Sequence, residues 1–144
     1  MEGAGLEGGG GEGTPRSRTE NRGVARKRIG LEEGLAAYTA ALGAPESAPR
    51  AIVATAVRWT LQLLEDRAPG RTVEVRVPPH GAVQVVEGPR HTRGTPPNVI
   101  EMNAQTWLAL AAGRLEWAAA VGSGAVSASG SRADLAGLLP LHRA

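Results

Sequence analysis

Residues 98–139 read NVIEMNAQTWLALAAGRLEWAAAVGSGAVSASGSRADLAGLL, and the fold turns on how this run is divided. Asn98–Met102 reads as a strand. Asn103 is a suitable N-cap for a helix over Ala104–Ala112, and Gly113 a suitable left-handed stop. Leu115–Val121 reads as a second, shorter helix, after which Gly122 and Gly124 turn the chain into a strand over Val126–Ser129. Ser131-Arg-Ala-Asp134 has the spacing of a capping box and predicts a closing helix, with Leu135, Leu138 and Leu139 as its apolar face before Pro140. Two tryptophans, Trp107 and Trp117, stand on successive helices. No residue here looks like a nucleophile, a paired acid and base, or a metal ligand, so the stretch favours binding over catalysis.

Upstream, the apolar period changes once. Leu31, Leu35, Tyr38 and Leu42 mark one stripe of an amphipathic helix that Gly43 and Pro45 bring to an end. From Ala51 to Ala68 a polar stripe of Arg58, Gln62, Glu65 and Asp66 leaves a wide apolar face of Ile52, Val53, Ala56, Val57, Thr60, Leu61, Leu63 and Leu64, suited to lie across a sheet. Pro69-Gly70 stops that helix. Residues 71–77, RTVEVRV, then alternate with period two, placing Val73, Val75 and Val77 on one face. Pro78-Pro-His-Gly81 is a turn, and Ala82–Glu87 a strand returning antiparallel. The next connection, Gly88–Pro97, is longer than a hairpin loop. The sum is an α+β layer: a small, mostly antiparallel sheet of about four to five strands with helices packed on it.

Composition limits how much of the chain folds. Of 144 residues, 20 are glycine. Seven of those fall within residues 1–13, and Leu6 is the only large apolar residue between Met1 and Val24. Such a segment buries too little to offset its ordering entropy, so residues 1–28 are expected to be a disordered Gly/Arg-rich leader and residues 29–141 a single domain. The formal charge of +2 resides in that leader, since basic and acidic residues balance beyond residue 30. With no cysteine there is neither a disulfide framework nor a thiolate metal site. No apolar run approaches the roughly 20 residues of a membrane span, and the N-terminus lacks the apolar core of a signal peptide. A cytoplasmic protein without stable membrane insertion is the expectation. Abundant alanine and an excess of arginine over lysine read as a GC-rich bacterial coding bias.

Taken together, these residues resemble the sterol carrier protein family. The resemblance lies in Trp107-Leu-Ala-Leu-Ala-Ala-Gly113, in Ala118 to Gly124, in Val126-Ser-Ala-Ser-Gly130 and in the leucines that follow. The middle segment PPHGAVQVVEGPRHTRGTPPNVIE, Pro78 to Glu101, is similar to the bacterial branch of that family, and the likeness extends over about Leu31 to Leu141. It implies a twisted sheet with helices on one side, and between them an apolar cavity for a fatty-acyl or sterol-like ligand. It implies no catalytic residue and no cofactor.

The candidate wall of such a cavity is Trp107, Leu110, Ala111, Leu115, Trp117, Val121, Leu135 and Leu138, all of which could equally be plain core. Burying about ten methylenes is worth roughly 8 kcal/mol gross. A dry void of about 300 Å³ would cost on the order of 7 kcal/mol, comparable with a domain's whole stability. A cavity of that size is therefore occupied, collapsed or wet. Arg90, His91 and Arg93, with Gly94 beside them, could hold a carboxylate or phosphate head group, or could simply be a solvated loop. His80, His91 and His142 share no short ligand spacing, so no metal site is expected. Ser123, Ser127, Ser129 and Ser131 lie in a turn, a strand and a cap, outside any nucleophile-elbow motif.

Two functions remain in contention: a lipid-binding or carrier domain without catalysis, and a non-catalytic interaction or accessory domain whose cavity has collapsed. Nucleic-acid binding through the basic leader is a distant third, because the body has few aromatics to stack bases.

Overall fold

The alternation of residues 71–77 becomes, over Val73–Val77, one of the two inner strands of an open four-stranded sheet. The computed structural model describes residues 27–88 and 98–144. Residues 1–26 of the expected leader, and the loop residues Arg90, His91 and Arg93, lie outside the described residues. In chain order the elements are α1 (Leu31–Gly43), α2 (Arg50–Arg67), β1 (Val73–Val77), β2 (Gly81–Val85), β3 (Asn98–Met102), α3 (Ala104–Ala112), α4 (Trp117–Gly122) and β4 (Val126–Ser129), followed by a 3-10 turn at Ala136–Leu138.

The strands lie in the order β2-β1-β3-β4. β1 pairs antiparallel with β2, Val73 opposite Val85. It pairs parallel with β3, Val75 opposite Ile100. β3 pairs antiparallel with β4, Met102 opposite Val126. Because side chains alternate along a strand, this register puts Val73, Val75, Val77, Val85, Ile100, Met102 and Val126 on one buried face. Glu74, Arg76, Gln84, Glu101, Ser127 and Ser129 occupy the other, where Arg76 reaches Glu74 at 3.3 Å and Glu101 at 3.9 Å. The helices thus cover one side of the sheet, an arrangement of two layers.

α2 is the helix that joins these layers. Leu61 approaches Gly81 of β2, so the wide apolar face meets the sheet as its pattern requires. Trp59 points elsewhere, lying against Gly34 of α1 and stacking edge-on with Tyr38 at 5.5 Å between ring centroids. Thr60, fully buried, accepts a 2.7 Å hydrogen bond from Trp107 Nε1 of α3, and its own hydroxyl bonds back to the Ala56 carbonyl at 2.7 Å. The polar stripe also has work: Gln62 exchanges two hydrogen bonds with the Ile29 backbone, and Asp66 pairs with Arg28.

The expected closing helix is not an α-helix. Asp134 Oδ1 accepts from the Ala136 N–H at 2.8 Å, but only the single 3-10 turn follows. Pro140 lacks an N–H and forces Leu139 into an extended conformation (φ −110°, ψ 149°), so no second turn can propagate. The chain instead runs back over α3. The N–H groups of Leu141 and His142 donate to Ala111 O at 2.9 and 3.1 Å, and that of Ala144 to Ala112 O at 3.2 Å, satisfying carbonyls left open at the end of the helix. Arg67 at the end of α2 donates to the carbonyls of Leu138, Pro140 and Leu141 and holds the same segment from the other side.

Candidate functional site

α3, residues AQTWLALAA, carries no charge, so it can offer apolar surface on more than one face. Its cap is local: the Asn103 side chain accepts from Thr106 N at 2.8 Å, and Gly113 takes the left-handed conformation (φ 81°) that ends it. Trp107, Leu110 and Ala111, at i, i+3 and i+4, face the core with at most 1% exposure. Ala104, Gln105, Leu108 and Ala109 form another face, and that face is one wall of a cleft.

The opposite walls come from Ala41 and Leu42 at the end of α1, Pro45, Glu46 and Ala48 in the link to α2, and Arg50 and Val53 in the first turn of α2. Pro79 and His80 of the β1–β2 turn and Arg114 beyond α3 complete it. The cleft holds about 580 Å³, within the roughly 300–1,000 Å³ range of small-molecule sites, and is mainly apolar with a few polar groups. Gln105 Nε2 donates to Pro45 O at 2.8 Å and ties the α1–α2 link to α3. Arg114 donates to Leu42 O at 3.1 Å and Ala144 O at 3.2 Å. Arg50 and His80 have no side-chain hydrogen bond to the described residues. Burial, then the charges of Arg50 and Arg58, hold the half-buried His80 below the ordinary imidazole range.

The eight residues proposed as a cavity wall are distributed otherwise. Trp107, Leu110, Ala111 and Leu135 are buried in the core, and Leu115 and Trp117 are half-buried against it. Val121 is 38% exposed on α4. Leu138 borders a broader and shallower depression of about 690 Å³ with Arg67, Pro69 and Val86. Arg50, Val53, His80 and Leu108, which line the cleft, are not among the residues the sequence points to as a wall. The available signal was the chargeless α3, whose second apolar face needed a neighbour. His80 lies in the β1–β2 turn and His142 against Tyr38 and Trp59, while His91 is outside the described residues. Among the described residues no three His, Cys, Asp or Glu side chains cluster to hold a metal ion, and no helix is long and apolar enough to cross a membrane.

A small mixed four-stranded sheet with helices packed on one face is the architecture of a sterol-carrier-like domain. The family described as bacterial SCP (sterol carrier protein) ortholog matches residues 49–141, well over half of the chain, and the chain belongs to that family. The match covers α2 onward, including Arg50, His80, Leu108 and Arg114; the α1 side of the cleft lies before it. No curated protein matches the chain.

Proposed function

We propose that this protein is a carrier-type domain that holds an apolar small molecule, a fatty-acyl or sterol-like lipid, without transforming it. The observation that carries this reading is the cleft between α1, α2 and α3, lined by Ala41, Leu42, Val53, Leu108 and Ala109. Membership of the bacterial sterol carrier protein family supports it. The reading involves no cofactor and takes the protein to act in the cytoplasm. Organic extracts of the purified protein, analysed by mass spectrometry, should contain a stoichiometric lipid, and a fluorescent fatty acid should bind at micromolar concentration. An empty extract together with no uptake would overturn the reading.

A second reading is a non-catalytic accessory domain whose interior has closed. It is favoured by the complete burial of Trp107, Ala111 and Leu135, which leaves them as packing. Under that reading a single stoichiometric protein partner is expected to bind, and with the same affinity after the protein is stripped of lipid.

A further inference from the structure

The cleft is apolar along its length but not electrically neutral. Five polar side chains line it: Glu46, Arg50, His80, Gln105 and Arg114. Gln105 and Arg114 are committed to backbone carbonyls and serve to hold the walls together. Arg50 and His80 keep their donors available, with no side-chain partner among the described residues. They line the cleft together with Val53, which stands one turn along α2 from Arg50. Glu46 in the α1–α2 link is the one carboxylate among the lining residues, against Arg50 and Arg114 within the cleft and Arg58 close enough to act on His80.

We propose that the cleft is selective for single-chain amphiphiles with an anionic head, long-chain carboxylates in the first instance, with Arg50 pairing the head group and His80 beside it. This rests on the lipid-carrier reading above and narrows it. The tail lies along Leu42, Val53, Leu108 and Ala109, and the carboxylate meets the guanidinium, whose planar donors match its geometry. A neutral sterol or alcohol gains the same apolar contact but leaves Arg50 unpaired. His80 makes the selection dependent on pH. Arg50 and Arg58 on α2 oppose its protonation, Arg114 adds to the positive charge of the cleft, and Glu46 opposes it. A bound anion offsets that positive field and favours the imidazolium. By linkage the anion binds more tightly as pH falls, because the complex takes up a proton that the free protein does not hold.

Calorimetry with dodecanoate and dodecanol, kept below their aggregation limits, tests this on the full chain. Dodecanoate is expected to bind a few-fold more tightly, the worth of one solvent-exposed ion pair. Arg50→Gln, at an exposed position, should bring the ratio close to one without shifting the melting temperature. Val53→Gln should weaken both probes alike. Equal binding of the two by the native protein, tighter binding of dodecanol or of a sterol, or a ratio unchanged in Arg50→Gln would overturn the selectivity while leaving the carrier reading intact. Failure of every probe to bind would overturn the carrier reading itself. Decanesulfonate, which keeps its charge, isolates the protein's own titration. Its affinity should rise several-fold from about pH 8 to about pH 5, the range in which imidazole titrates, and His80→Gln should flatten that rise. A slope that survives the substitution would remove His80 from the site.

Discussion

Gly34 sits within the apolar stripe of α1, where alanine would ordinarily be the better helix former by about 1 kcal/mol. A Cβ there would come within 2.2 Å of the Trp59 ring carbons. Overpacking of this kind costs about 1–3 kcal/mol, more than the propensity gain, so Gly34→Ala is expected to lower stability in urea denaturation. A midpoint at or above that of the parent would show that the two helices can move apart freely. Tyr38, one helical turn further on, is fully buried and donates to His142 O at 2.6 Å. Burial pushes its pKa from the ordinary 10.0 to about 12, the charge of Arg114 opposing the shift slightly. A raised pKa means that the unfolded chain releases the proton first. Stability is therefore whole below about pH 10, falls as pH rises toward 12, and is flat beyond. Tyr38 is the only tyrosine, so tyrosinate absorbance reports it alone, and Tyr38→Phe should remove that alkaline slope.

Between elements, the contact with the clearest energetic meaning is Thr60 to Trp107, which ties α2 to α3 through the buried core. Thr60→Val keeps the shape and leaves the indole N–H without an acceptor, at a cost of about 1–3 kcal/mol. Pairing it with Trp107→Phe in a double-mutant cycle should recover part of that loss, because the orphaned donor disappears; strict additivity would argue that water reaches the site. Asn98 plays the corresponding role at the sheet. Its side chain donates to Thr72 O at 3.0 Å and accepts from Arg132 N at 2.9 Å, fastening the start of β1 to the chain that follows β4. Neither residue stands out in the sequence. A threonine in an apolar helical stripe and an asparagine at the start of a strand acquire meaning only from partners 47 and 26 residues away.

At the scale of the whole molecule, the C-terminal segment does what the expected closing helix would have done. It covers the end of α3 through backbone hydrogen bonds and is clasped by Arg67. Arg67→Ala should release it, and hydrogen exchange at the amides of Leu141 and His142 should quicken while amides of β1 keep their protection. Unchanged protection would place the grip in the remaining bonds, those of the segment's N–H groups to Ala111 O and Ala112 O and those that Tyr38 and Arg114 donate to its carbonyls. Since Arg114 bonds both Leu42 O and Ala144 O, loosening the segment also disturbs a wall of the cleft, and under the proposed carrier function weaker uptake of the fluorescent fatty acid is expected with it.

The sequence by itself determined the kinds of element and most of their limits. Period two in residues 71–77, period 3.6 in α1 and α2, Asn103 and Gly113 around α3, and the glycines before β4 are all local signals. Each acts through backbone conformation or one-sided burial within a few residues. It also pointed to a carrier-like layer of helices on a sheet. Tertiary structure alone decided which apolar faces became core and which became cleft. Trp107 and Leu108 are neighbours of similar character and both are buried, yet only the positions of α1, α2 and the β1–β2 turn make Leu108 border the cleft while Trp107 does not. Arg50 and His80 line one cleft for the same reason: hydrophobic burial drives α2 onto the sheet without direction of its own, and the geometry of that docking brings a helix start and a turn to the same cleft.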